Sequence, residues 1–238
     1  GLEEDLWFGE EFGYVNVAVN QLFKCKEIPE LVVACEICED LWVPNPPSVA
    51  HAFHGANLIV NLSASDEVVG KDSYRKSLVS AQSARLLCGY IYATAGEGES
   101  TQDVVYGGHN LIAENGALLA ESRPFSQALA CTELDLGRLL AERRRNTSFE
   151  PVTDGYETVS FHLPLREIPL TRYISPTPFV PADGGARAER CELILQMQAD
   201  GLAKRIEHAH AKTAVIGISG GLDSCLALLV AVHAMKKL

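Results

Sequence analysis

Apolar and polar positions along the chain predict an α/β protein in which strands and helices alternate. Residues 12–23 carry Tyr14, Val15, Val17, Val19 and Leu22, enough for one or two short strands or for a strand and a loop. Residues 31–37 form an unbroken apolar run that reads as a buried strand, and the proline-rich Pro44-Asn45-Pro46-Pro47 forces an irregular exit from it. Ser48 then reads as the N-cap of a helix over 49–54. A second apolar strand, 55–65, ends in small hydroxyl residues, and an amphipathic helix follows from about 72 to 88 with Arg75, Lys76 and Arg85 on polar faces. Residues 90–95 are the next strand. Glu114-Asn115-Gly116 between two apolar runs is a strong hairpin signal, and 128–134 reads as a further strand. A short helix over 136–145 and a strand over 156–163 complete this region.

Pro164, Pro169, Pro176, Pro178 and Pro181 then mark a stiff connection, which predicts a domain boundary. Helical spacing returns over 186–210, with Cys191, Ile194, Leu195, Met197, Leu202 and Ile206 on one side. Residues 214–218 read as a buried parallel strand and 222–235 as a helix. The expected organisation is a first domain over 1–163, a linker over 164–186 and the start of a second domain over 187–238.

Composition narrows the functions open to such a protein. The 238 residues are 47% hydrophobic and 21% charged, ordinary globular material. A net charge of −11 argues against nucleic acid as a partner, and Arg143-Arg144-Arg145 reads as a helix end. No run approaches the ~18 apolar residues of a membrane span, and no signal-type N-terminus is present. Seven scattered cysteines suit a reducing cytoplasm better than a disulfide framework. The unpatterned first eleven residues and a stop one helix after a glycine loop read as a piece of a longer protein, cut at both ends.

Two stretches carry chemistry. Gly217-Ile218-Ser219-Gly220-Gly221-Leu222-Asp223-Ser224 joins the expected strand to the expected helix. Glycines leave the backbone open to an approaching group, and free N–H groups at a helix N-terminus attract an anion. Asp223 would repel a bare phosphate, so a cation between them is expected, with Asp223 a magnesium ligand. The loop lacks the lysine of a Walker A sequence. The second stretch, Cys38-Glu39-Asp40-Leu41-Trp42-Val43-Pro44, follows a strand, where α/β scaffolds place catalytic groups. Cys38 and Cys35 could form a redox or zinc pair, but no further ligands stand nearby. Cys35 reads as a buried thiol. Cys38 is the better nucleophile candidate, with a base and a cation to be supplied from elsewhere. His51, His54 and His109 read as structural.

The Ser-Gly-Gly-x-Asp-Ser loop resembles that of the N-type ATP pyrophosphatases, and the Cys-Glu-Asp-Leu-Trp-Val-Pro turn resembles the nucleophile turn of nitrilase-like amidases. Gly96-Glu97-Gly98-Glu99-Ser100-Thr101 and the Pro178-Phe179-Val180-Pro181 connection fit the same pairing. Together they resemble the glutamine-dependent NAD synthetases. The resemblance implies the C-terminal part of a nitrilase-like α/β sandwich, then a linker and the start of a doubly wound parallel-sheet domain. It implies Cys38 as glutaminase nucleophile, with its partner Glu and Lys upstream, and Ser65 and Lys71 as glutamine-binding residues. It implies ATP binding at 217–224, with Mg2+ as part of that substrate, and no tightly bound organic cofactor. The implied substrates are glutamine, ATP and nicotinic acid adenine dinucleotide, and the implied assembly is a homo-oligomer. The alternatives are another amidotransferase of the same two-module build, or a non-catalytic nucleotide-binding fragment.

Overall fold

The computed structural model describes residues 3–100 and 103–238, and the chain divides into two compact units, Gly1–Arg172 and Tyr173–Leu238. The first unit opens with an antiparallel pair, β1 (Glu3–Trp7) and β2 (Tyr14–Ala18). A seven-stranded sheet follows, built from β3 (Gln21–Cys25), β4 (Val32–Ile37), β5 (Leu58–Ser63), β6 (Gly89–Thr94), β7 (Leu111–Glu114), β8 (Ala117–Glu121) and β9 (Glu157–Phe161). Its order is β8-β7-β6-β5-β4-β3-β9, with β4, β5 and β6 parallel at the centre and antiparallel pairs on either side. The helices are α1 (Pro47–Phe53), α2 (Lys71–Leu86) and α3 (Leu136–Arg145).

The inward residues of α2 are Arg75, Val79, Gln82, Ser83 and Leu86, at the spacing of one helical face. Val79 and Leu86 join Ala34, Ile59, Tyr90, Tyr92 and Leu111 in the main core. Asn115 and Gly116 both have positive φ, 45° and 86°, the primed turn that matches strand twist. Gly89 is closely covered: a Cβ there would stand 2.8 Å from Leu134 Cδ1, so that side chain would have to move to admit one.

The other face of the central strands is apolar and less covered. Val33, Leu58, Val60 and Ile91 share that face by register with Ile37 and Leu62, which are 69% and 61% exposed. Cys35 lies on this outward face rather than in the core, because strand alternation gives the inward positions to Ala34 and Glu36. Ser48 is not the N-cap of α1. Pro46 as N-cap and Pro47 as first residue start the helix two residues earlier, and Ser48 sits buried inside it, donating its N–H to Glu36 Oε1 (2.5 Å). Residues 3–7, unpatterned in sequence, form a strand because β2 offers a partner. Residues 128–134 form none; they run as a connection whose Glu133 is engaged by the chain after β9.

That engagement straps the start of the proline-rich connection to the first unit. Glu133 accepts hydrogen bonds from Thr171 Oγ1, Thr171 N and Arg172 N, and these, the Thr171 hydroxyl foremost, hold its carboxyl below the ordinary range. Arg172 makes a fork to both oxygens of buried Glu114, at 2.9 and 3.0 Å. Among the described residues, Arg172→Ala leaves only the Asp135 N–H donating to the buried Glu114 carboxylate, and is expected to cost about 3 kcal/mol. Chemical denaturation measures this, and a Glu114→Met/Arg172→Ala double variant is expected to recover part of the loss.

A second clasp fixes β9. Glu27 accepts from Leu163 N (2.9 Å) and His162 Nδ1 (2.6 Å), in that order the causes that lower its pKa from 4.5 to about 2. A depressed carboxylate pKa gives stability that is fully present above about 4.5 and lost as pH falls towards about 2. Unfolding midpoints followed from pH 6 to about 2 are therefore expected to fall less steeply for Glu27→Gln than for the native chain.

The second unit contains α4 (Gly184–His208) and α5 (Leu222–Lys237), packed through Ala203, Ile206 and Ala234. Residues 214–218, expected as a strand, form none. A strand exists by its ladder, and among the described residues of this unit no strand is available to pair with it. Val215 is consequently 95% exposed. No helix among the described residues is long and apolar enough to cross a membrane.

Candidate functional site

The register of the central parallel strands brings three strand ends together. Ile37 pairs with Leu62, and Ser63 pairs with Thr94, so β4, β5 and β6 finish at one edge of the sheet. Cys38 follows β4 directly and Ser65 lies two residues beyond β5, at the position where open α/β sheets bind ligands. Lys71 opens α2 on the same β5–β6 crossover.

Cys38 begins a single 3-10 turn, Cys38–Leu41, and has φ +48°. That left-handed conformation is unfavourable for a residue with a Cβ, so the surroundings must impose it. Asp40 Oδ2 accepts from Ile37 N at 2.7 Å, and Trp42 N donates to Glu39 O at 2.8 Å, closing the turn from both sides. Cys38 is half-buried, and its thiol makes no hydrogen bond among the described residues. Among the described residues, no general base or cation hydrogen-bonds or ion-pairs with it.

Lys71 Nζ lies 2.7 Å from Asp66 Oδ1 and 5.5 Å from the centre of the Trp42 ring, which connects it to the Cys38 turn. The Lys71 hydrogen bond holds the Asp66 carboxyl below its ordinary range. A substrate carboxylate binding Lys71 would share or displace Asp66. Ser65 is buried; its N–H donates to Thr94 Oγ1 at 3.3 Å, and its hydroxyl has no hydrogen bond among the described residues. Cys38, Ser65 and Lys71 thus belong to one edge of one sheet.

The sequence reading missed the polar residues beneath this edge. Asn61 in β5, Tyr90 in β6 and Glu36 in β4 are all buried. The signal was present: Asn61 and Glu36 interrupt otherwise apolar strands. Arg75 is wholly buried as well, donating to Glu67 Oε2 (3.1 Å) and to His109 Nδ1 (2.8 Å), while His109 Nε2 faces Glu121 at 2.9 Å. Arginine can only donate, so Nδ1 accepts and Nε2 carries the proton. His51 is buried between Tyr156 and the Cys35 carbonyl, and burial pushes its pKa down. His51 and His109 are therefore partnered within the fold; His54 is too, between the Ala50 and Asp154 carbonyls.

In the second unit, Gly220 has φ +84° and Gly221 is the N-cap of α5. Ser224 Oγ donates to Gly221 O (3.0 Å) and lies 3.2 Å from Ser219 Oγ, so the two hydroxyls tie the loop across its turn. A Cβ at Gly217 or Gly220 would meet nothing within 4 Å, which leaves the backbone accessible. Asp223 is exposed in the first turn of α5. Its carboxylate makes no ion pair among the described residues, and no cluster of three metal-ligating side chains occurs among them. One carboxylate beside open N–H groups fits a magnesium ion carried in on phosphates rather than a protein-caged one. A groove of about 540 Å3 between 212–218 and α5 is lined by Ile216, Ile218, Leu228, Val232 and Met235.

The family model for NAD synthase matches residues 194–238. The glutamine-dependent NAD(+) synthetase of Mycobacterium bovis is 40% identical over an alignment of 234 residues that covers 94% of this chain. The chain is a homologue of the glutamine-dependent NAD(+) synthetases over this span. That of Mycobacterium leprae is 38% identical over 91% of the chain. The chain spans about a third of the length of these curated relatives, 34% and 33%. Among solved structures, a glutamine-dependent NAD(+) synthetase from Cytophaga hutchinsonii is 26% identical over 55% of this chain and 20% of its own, with a TM-score of 0.41.

Proposed function

We propose that the chain is the joining segment of a glutamine-hydrolysing NAD synthetase, an ATP-dependent carbon–nitrogen ligase. The observation that carries this is the pairing on one chain of a strand-end cysteine turn with the Gly217–Ser224 loop. In this reading the Cys38 thiolate adds to the glutamine amide carbon, and ammonia leaves once protonated, giving a thioester that water hydrolyses to glutamate. Ser65 and Lys71 hold the amino acid end of glutamine, Lys71 through its carboxylate. A single ammonium makes a point contact there, not the fork an arginine would make.

Residues 217–224 bind the phosphates of ATP at the N-terminus of α5, and Asp223 meets the Mg2+ carried with them. ATP adenylates the carboxylate of nicotinic acid adenine dinucleotide, releasing pyrophosphate. Ammonia then displaces AMP to give the amide. The glutaminase part takes in residues 1–163, with the first nine residues of the linker 164–186 strapped to it as far as Arg172, and the ligase part begins at 187. The apolar outward face formed by Val33, Ile37, Val60 and Leu62 supports a second layer of the nitrilase-like sandwich packed on it. The general base and cation for Cys38 come from outside the described contacts. A homo-oligomer working in the cytoplasm completes the reading.

The test is nitrogen-source dependence in the native polypeptide. NAD formation from nicotinic acid adenine dinucleotide and ATP is expected with either glutamine or ammonium, and only the glutamine route passes through Cys38. Failure to form NAD from either source would defeat the reading.

A further inference from the structure

We infer that Asn61 is a positioning residue for the nucleophile, holding the strained Cys38–Glu39 peptide through the Cys38 carbonyl; this rests on Cys38 being the nucleophile. The buried side chains form one connected path. Asn61 Nδ2 donates to Cys38 O and to Tyr90 Oη, each at 3.4 Å, so both amide hydrogens are used. Its Oδ1 accepts from Ser63 Oγ at 2.6 Å, and the Cys38 carbonyl, which can only accept, fixes which way the amide faces. Tyr90 in turn donates to Glu36 Oε2 at 2.5 Å, and Glu36 Oε1 accepts from Ser48 N at 2.5 Å. Burial, reinforced by the Glu36 carboxylate, pushes the Tyr90 phenol upward, so it remains a neutral donor.

Direction makes this more than core satisfaction. Glu36 can only accept, so Tyr90 must spend its hydrogen on Glu36 and offer Asn61 its lone pair. That leaves Asn61 a donor towards Cys38, and each bond polarises the next. The path runs through three adjacent strands and the first turn of α1, elements of the main core. It ends on a residue whose φ of +48° needs an external constraint.

The chemical consequence follows from peptide planarity. With the Cys38 C=O drawn towards Asn61 and the sheet, the trans peptide points the Glu39 N–H the opposite way. An N–H so aimed beside the attacked carbonyl stabilises the charge that develops on its oxygen, an effect on kcat rather than on substrate affinity. Both bonds donated by Asn61 Nδ2 are long in this structure and are expected to shorten when substrate occupies the edge.

The experiment compares Asn61→Ala and Tyr90→Phe with Cys38→Ala in the native polypeptide, using glutamine or ammonium chloride as nitrogen source. Asn61→Ala is expected to lower kcat with glutamine by about 10- to 100-fold at nearly constant KM, and to leave the ammonium rate unchanged. Tyr90→Phe, which keeps the ring and loses only the hydroxyl, is expected to lower the same kcat by about 3- to 10-fold. Unchanged glutamine kcat in both variants overturns the inference, as does an equal loss with both nitrogen sources. If Cys38→Ala itself keeps glutamine use, the nucleophile assignment fails first, and the role of Asn61 fails with it.

Discussion

Cys38→Ala is expected to abolish glutamine-dependent NAD formation in the native polypeptide, by about 1,000-fold or more, and to leave the ammonium-dependent rate within about twofold. The size follows from the chemistry. No other group at the end of β4 can form the thioester, and water attacking an unactivated amide is far slower. The sparing of ammonium follows from separation along the chain, since residues 217–224 belong to the other unit. The alanine also removes little structure. Cys38 is half-buried, its thiol has no hydrogen bond among the described residues, and Asp40 and Asn61 hold the turn by backbone groups that alanine retains. Parallel assays with the two nitrogen sources decide the matter. Loss of both activities would show that Cys38 serves the fold or the ligase step instead.

Asp223→Asn is expected to have the opposite signature, a fall of about 100-fold or more in NAD formation with either nitrogen source. The substitution keeps the size of the side chain and removes its charge, so the N-terminus of α5 loses its one first-turn carboxylate. A bare anion would bind that end better without the carboxylate. A magnesium-bound one would bind worse, and raising magnesium is expected to recover part of the loss. Turnover of ATP that does not respond to the substitution would remove Asp223 from the metal. Improved binding of pyrophosphate without magnesium, set beside weakened binding with it, would identify the ion as the mediator.

These two sites differ in how they were legible. The glycine loop was readable because its conformation is local: Gly220 must adopt φ +84°, and a helix of good periodicity follows. The hairpin at Asn115-Gly116 was readable for the same reason. The strand at 214–218 was not local. Its apolar, β-branched residues suit a ladder, but a ladder needs a neighbour, and the second unit has none among the described residues. The same dependence explains β1, which sequence pattern left blank and β2 supplies. Cys35 and Glu36 show a third kind of limit. Hydrophobicity assigned the thiol to the core, whereas strand phase gave the inward place to Glu36, whose charge is met by Tyr90 and by the Ser48 N–H. Nothing in an isolated Glu predicts those partners. Two interruptions in apolar strands, at Glu36 and Asn61, were the trace that buried polar work leaves in a sequence.

The fork between Arg172 and Glu114 has a practical bearing on where the chain can be divided. Composition suggests cutting at Pro164, where the prolines begin. A piece ending there would keep Glu114 in the interior without its cation, and would strip Glu133 of the three donors it receives from Thr171 and Arg172. Nine residues that look like spacer are thus part of the folded body they leave, and truncation is tolerated where backbone and buried charge are both released, which is after Arg172.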